Sequence, residues 1–428
     1  MKRMIVISLA VILLLPLVSC AKGNAVQPTA VPSENAGVTA APGEPDGTAE
    51  PVRDPYEDFN NHYMQAYTNG NKVDWAETED YVFLGSKYYD KNTGECDFYC
   101  SKPECTHTDR RTCQAALYVL GTYDGKIYSK GEASYGVGIY SHNLDRSEMT
   151  LLRNVNWNEE GGLFFFHRGK LYSYDDNGTV VNAEPRHEFR LLEIDPYEEE
   201  SRVIFESNDY PAAAWGWVFI LNEKVYLLLD YHAPDDAEQY PGCYVWELWS
   251  YNIYTGETTL EVTDPTMKDR QHGSWITKDG EIYAMMGYDT LVKLTDGRFE
   301  TQWRIGDIEE VSINNQISDG VIVSQICSGW VEHNPDVRFL ILDFEGKTVA
   351  DGYLPFPDYG EEMKNYVFFR YVTVWADETC LWLQFEFRKP VKINGLMTEH
   401  PEFLAVKYDI VDGSYSLAFA EPSGSFDF

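Results

Sequence analysis

The sequence predicts an all-β chain and, within that class, a β-propeller of seven blades, each of four antiparallel strands. Three observations carry the prediction. Aromatic residues are abundant, with 30 Tyr, 21 Phe and 11 Trp, and flat rings favour a pleated, packed surface. Extended helical periodicity is hard to find beyond residue 70, where apolar runs are short, alternate, and stop at Gly, Asn or Asp. Third, a pair of turn signals recurs about every 50 residues, a spacing that suits four-stranded propeller blades.

The chain begins with an address. Lys2 and Arg3 precede the apolar stretch Met4–Leu17, and the small residue Ser19 precedes Cys20. A basic start, an apolar middle and a small-residue cleavage site make a secretory signal over 1–19. The apolar run is broken by Pro16 and is too short to span, since a span needs about 18 or more apolar residues. Leu17-Val18-Ser19-Cys20 resembles the bacterial lipobox, which implies that Cys20 is acylated and becomes the first residue of the mature chain. Two or more acyl chains anchor a protein stably. The expected place is the extracytoplasmic face of the cell membrane, with the lipid bilayer as the first partner.

Residues 20–55 follow as a linker. After Cys20 they contain no aromatic residue and no Leu, Ile or Met, too little apolar surface to offset the entropy of ordering. A flexible coil of this length spans roughly 30–35 Å. Residues 56–77 are a transition, with a short helix expected around Glu57–Tyr67.

From about residue 78 to 428 the blades are expected. Each unit opens on a polar turn before a strand: Asp124-Gly125-Lys126-Ile127-Tyr128, Arg168-Gly169-Lys170-Leu171-Tyr172, Asn222-Glu223-Lys224-Val225-Tyr226 and Asp279-Gly280-Glu281-Ile282-Tyr283. Weaker copies start at Asp319 and Asp377, and the first at Glu79. A second turn follows in each unit, clearest as Tyr89-Asp90-Lys91-Asn92-Thr93-Gly94 and Tyr251-Asn252-Ile253-Tyr254-Thr255-Gly256. Such sequences supply the positive φ that tight turns require, and the flanking alternation gives each strand one buried face. Two β-sandwiches are the competing architecture, and the regular paired turns argue against them.

This pairing of turn motifs resembles extracytoplasmic propeller lipoproteins of Gram-positive anaerobes, and is distantly similar to low-density-lipoprotein-receptor-type propellers. The resemblance covers about residues 78–420. It rests on turn chemistry, so it implies a fold and names no activity.

Four of the eight cysteines fall within 96–113. Cys96, Cys100, Cys105, His107 and Cys113 are candidates for a metal or disulfide cluster; the run from Cys100 to Cys113 resembles a cysteine-rich insertion after the first blade of those lipoproteins. Thiolates and an imidazole can hold zinc tetrahedrally, with Cys100, Cys105, His107 and Cys113 as a Cys₃His set, although the spacing is irregular for a zinc finger. Two disulfides suit an exported chain equally, and free thiols are the third reading. Either bonded form is structural, because no ligand position is left open. Cys243, Cys327 and Cys380 are expected as buried strand residues.

Other candidates are weaker. Asp175-Asp176-Asn177-Gly178 lacks the later ligands of a calcium loop and is expected as a hairpin turn. His232, Asp235, Asp236 and Tyr240 belong to an insertion in the fourth unit, the kind of loop that lines a ligand rim. Tyr210, Trp215, Trp217, Trp246, Trp249, Trp275, Trp303, Trp330 and Trp375 could stack on sugars, but most are expected to fill the wedges between blades. No hydrolase, metalloprotease or nucleotide-binding motif is present.

The formal net charge of -35 repels phosphate backbones and excludes nucleic acid as a partner. The leading functional reading is a non-enzymatic binding module for a protein, peptide or glycan. The alternative is a carbohydrate-active or other hydrolytic propeller enzyme.

Overall fold

The computed structural model describes 63–65 and most of 75–422; residues 1–62, 66–74, 78–79, 85–86, 108–112, 134–135, 157–162, 182–183, 212–213, 278, 308–313, 328–332, 359–364, 394–395 and 423–428 fall outside the description. The signal, Cys20 and the linker therefore lie outside the described residues. The chain divides at Val52 and Arg53, and the ring belongs to the second unit.

A short strand, β1 (Tyr63–Gln65), precedes the first blade. Blade 1 is β2–β5 (Trp75–Glu77, Tyr81–Leu84, Lys87–Asp90, Cys96–Phe98), and blade 2 is β6–β9 (Tyr118–Tyr123, Lys126–Ala133, Gly136–Asn143, Thr150–Val155). Blade 3 is β10–β13 (Leu163–His167, Lys170–Val181, Glu184–Ile194, Arg202–Pro211), and blade 4 is β14–β17 (Trp215–Leu221, Lys224–His232, Tyr244–Asn252, Thr258–Met267). Blade 5 is β18–β21 (Gln271–Ile276, Ile282–Met286, Thr290–Thr295, Arg298–Arg304), and blade 6 is β22–β25 (Asn314–Ile317, Val321–Ile326, Arg338–Asp343, Thr348–Tyr353). Blade 7 is β26–β29 (Val367–Ala376, Cys380–Ile393, Leu396–Val411, Ser414–Pro422). Each blade is an antiparallel meander in chain order. The expected seven-bladed propeller is the observed fold.

Both recurrent turns fall where the repeat placed them. The first joins the innermost and second strands of each blade, as at Asp124-Gly125 between β6 and β7. The second joins the third and fourth strands, as between β16 and β17. In an antiparallel meander both kinds of turn lie at one end of the strands. The connections between second and third strands lie at the other.

The ring is held by clusters of side chains between successive blades. Leu120, Tyr128 and Ile139 of blade 2 meet Phe166, Leu171 and Leu192 of blade 3. Analogous wedges join blades 3 and 4, 4 and 5, 5 and 6, 6 and 7, and 1 and 2. One expectation is corrected here. The strands were read with one buried face, yet an inner strand is buried on both. In β19, Ile282, Ala284 and Met286 enter the wedge with blade 4 while Tyr283 and Met285 enter the wedge with blade 6. Packing between two neighbours, rather than against one core, turns alternation into a continuous apolar run.

Blade 1 consists only of N-terminal strands and blade 7 only of C-terminal strands. Among the described residues no strand is exchanged across this seam. It closes through Tyr89, whose ring centroid lies 5.5 Å from that of Trp382 and 5.0 Å from that of Phe419.

Three local expectations fail. The sequence favours a helix around Glu57–Tyr67, yet Tyr63–Gln65 is a strand paired with β14, and the rest of that segment lies outside the described residues; a three-residue ladder on an open edge satisfies its backbone without helical periodicity. The first blade begins at Trp75 rather than 78. Asp175–Gly178 is not a turn: it lies inside β11, paired with Glu188–Arg190 and His187 of β12, and the hairpin reverses only beyond Val181. The cross-strand ladder overrides the turn preference of these residues.

Candidate functional site

The cysteine-rich segment leaves β5 and leads into β6. One donor atom each from Cys100, Cys105, His107 and Cys113 lies within 4.8 Å of all the others. His107 Nδ1 is 3.4 Å from the Cys113 sulfur. The backbone at His107 has φ 56, a left-handed conformation that is strained for a residue with a side chain. Its imidazole is stacked on Phe98, with centroids 4.4 Å apart and planes at 21°, which turns the ring toward the sulfurs. The Cys105 thiol is held below its ordinary range, first by a hydrogen bond from the His107 backbone. Burial pushes the Cys113 thiol up to about 12.

The segment is tied down by Gln114, which is buried. Its Oε1 accepts from the Ser101 amide at 2.8 Å and hydroxyl at 3.0 Å. Its Nε2 donates to the Arg146 carbonyl of blade 2 at 2.8 Å. The segment thus couples the first two blades. The described cysteines carry no disulfide. Three sulfurs and one imidazole gathered within 4.8 Å form a candidate metal-binding cluster, looser than the roughly 3.5–3.8 Å that separates the donors of a tetrahedral zinc site. All four positions come from protein, so a bound ion would brace the fold and leave none open for substrate.

Cys96, grouped with this cluster on sequence, stands apart from it. It pairs with Tyr89 across β4 and β5, and its side chain packs against the core between blades 7 and 1. Alternation along β5 turns it that way. Cys380 is a buried strand residue as expected, Cys327 is buried just beyond the end of β23, and Cys243 is half-buried in the loop before β16.

The insertion in the fourth unit is the loop 233–243 between β15 and β16. Its neck is closed by the Ala233 amide donating to the Cys243 carbonyl at 2.9 Å. Gly242 (φ 66) faces Asp235, whose Oδ1 lies 2.9 Å from where a Cβ would stand. His232, Asp235, Asp236 and Tyr240 are all exposed. Among the described residues no hydrogen bond joins them to one another, and they form no catalytic constellation.

A second candidate was not legible in sequence. A cleft of 620 Å³ lies between the outermost strand of blade 3 and the second to fourth strands of blade 4. Phe205, Tyr210, Tyr231 and Trp249 supply aromatic walls, and Glu206 and Glu247 supply carboxylates. Glu247 Oε2 accepts from the Tyr210 hydroxyl at 2.7 Å and from Trp249 Nε1 at 3.3 Å. Its Oε1 accepts from the Tyr231 hydroxyl at 3.1 Å. Burial, followed by the Glu247 charge, pushes both tyrosines up, so they remain donors. Trp217, Trp246 and Trp275 are buried, the last two in the wedges as expected, whereas Trp249 faces this cleft. Trp330 lies outside the described residues.

No family model matches the chain, and no curated protein matches it. Solved structures resemble it only coarsely. Oligogalacturonate lyase from Vibrio parahaemolyticus is 12% identical with a TM-score of 0.36, over 68% of this chain and 74% of that one. The β-propeller domain of the Trilobed protease from Pyrococcus furiosus, described as having an open velcro topology, is 12% identical with a TM-score of 0.35, over 86% and 99%. BamB from Moraxella catarrhalis is 9% identical with a TM-score of 0.32, over 73% and 79%. These values assign no activity.

Proposed function

We propose that this protein is a lipid-anchored, extracytoplasmic binding module that presents one rim of its propeller to a protein, peptide or glycan. The observation that carries the reading is the asymmetry of the two rims. One carries the tight turns after the innermost strands. The other carries the loop 233–243 and two overhanging hairpins. In blade 7, β27 and β28 stay paired to Ile393 and Leu396, although the innermost strand begins opposite Arg388. In blade 3, β11 and β12 run on to Val181 and Glu184, although the innermost strand begins opposite Tyr174. The blade 3 overhang extends roughly 20 Å. Irregular loops on a rigid scaffold are where ligands bind.

The alternative, a carbohydrate-active enzyme, has one observation in its favour: Glu206 and Glu247 line the same aromatic cleft. Glycan and peptide arrays probed with the full-length protein in detergent separate the readings. Saturable binding that disappears when 234–242 is replaced by a two-residue turn supports the rim. Release of a cleaved product moves the assignment to the enzyme. Anchoring is tested by Cys20→Ala, which should appear unprocessed or in the medium; a variant processed and retained like wild type removes the lipid anchor.

A further inference from the structure

We infer that the cleft between blades 3 and 4 is a binding site for an organic ammonium group, free or carried on a lysine side chain. The inference concerns the flank of the ring, and stands whether or not the loop rim binds anything.

The argument starts from the acceptor capacity of Glu247. An ionised carboxylate offers about four acceptor positions. Tyr210 and Trp249 occupy both positions on Oε2, and Tyr231 occupies one on Oε1. One position remains, on Oε1. The three donors are neutral, so the carboxylate is fixed in orientation while its negative charge is left uncancelled. Among the described residues no Lys, Arg or His forms an ion pair with Glu247, whereas Glu206 on the cleft wall is paired with Arg190 at 3.9 Å.

The walls favour the same kind of ligand. The Phe205 and Trp249 centroids are 5.3 Å apart, and those of Tyr210 and Tyr231 are 5.4 Å apart. Ring faces attract cations through their quadrupoles, more strongly where water is excluded. An aromatic enclosure around a fixed carboxylate stabilises a positive charge with an apolar skin. Arginine fits less well. Its fork binds a carboxylate best through both oxygens at once, and Oε2 is already filled. A point-like ammonium needs only the remaining site on Oε1, and a quaternary ammonium needs only the field and the rings.

The test is calorimetric titration of the full-length protein in detergent. The probes are choline, its neutral carbon isostere 3,3-dimethylbutan-1-ol, N-acetyl-lysine amide and N-acetyl-arginine amide. Choline and the lysine amide distinguish a free ligand from a peptide-borne one. Saturable binding of one or both is expected, tighter than the isostere by at least about tenfold and with lysine ahead of arginine. Glu247→Gln keeps the shape and an acceptor for Tyr210, and should weaken binding about tenfold. Trp249→Leu should weaken it as well. The isostere binding as tightly as choline, arginine binding better than lysine, no saturable heat with either ammonium, or unchanged affinity in Glu247→Gln each overturns the inference. If Glu247→Gln fails to fold, the comparison of choline with its isostere on the unaltered protein decides alone.

Discussion

His142 sits between the first two blades with 1% of its surface exposed, its ring 5.6 Å from that of Tyr99. Neither ring nitrogen has a hydrogen-bond partner. Burial lowers its pKa from 6.5 to about 4. The unfolded chain takes up this proton near pH 6.5, whereas the folded chain resists it until about pH 4. The stability tied to neutral His142 is therefore complete above pH 6.5, and is lost as pH falls through that window toward 4. The loss amounts to about 3 kcal/mol. His142→Leu should flatten this part of the profile when urea midpoints are measured from pH 7.5 to 4; an unchanged slope removes His142 as the cause. The cysteine cluster makes a second prediction at this scale. Zinc analysis and thiol counting should find one ion bound to the wild type, lost in Cys113→Ser and retained in Cys96→Ser. Free thiols at Cys100, Cys105 and Cys113 and no metal would sink the zinc reading. The four ligands were recognisable in sequence because cysteine and histidine in one short segment have few other uses. Glu247 was not, because its partners Tyr210 and Tyr231 lie on separate strands of different blades, and the chain is rich in carboxylates and tyrosines.

Among the elements, the turns after the innermost strands repeat the same chemistry in unequal surroundings. Gly125 has φ 69 and open space around its missing Cβ, whereas Gly169 has φ 82 and would place a Cβ 2.8 Å from the Tyr123 ring. Gly125→Ala should lose about 1 kcal/mol from backbone strain alone. Gly169→Ala should lose more, about 2 kcal/mol, because Tyr123 must also move. Equal urea midpoints for the two variants would show that the neighbouring blade gives way freely. These turns were legible because positive φ selects few residues. The strand at Tyr63–Gln65 was not, since it exists only where the free edge of β14 receives it. The overhang through Asp175–Gly178 was hidden for a related reason: its residues favour turns locally, and the ladder with β12 decides otherwise.

At the scale of the whole molecule, seven interfaces of similar kind hold the ring, and the seam between blades 7 and 1 is closed by side chains without a shared strand. Tyr89 contacts both Trp382 and Phe419 there, and Lys87 reaches Glu421 at 3.7 Å. The ion pair is half-exposed and weak, so the aromatic contacts carry the closure. Tyr89→Ala should lower stability by about 2–3 kcal/mol and raise hydrogen exchange in blades 1 and 7 ahead of blade 4. Uniform exchange around the ring in that variant would show that the seam is no weaker than the other wedges. Blade number was readable from the repeat, because turn chemistry punctuates every unit. The mode of closure was not, because it depends on which strands finish beside which.

The position of β1 has a mechanical consequence. It adds to the free inner edge of β14 and runs antiparallel to it. A load applied at Tyr63 along the strand direction pulls β1 lengthwise past β14 and strains all the rungs of their ladder together, instead of peeling them singly. Shear of this kind resists force better than unzipping does. Tension entering at Tyr63 is thus taken up by the fourth blade, and the first is shielded until that short ladder slips.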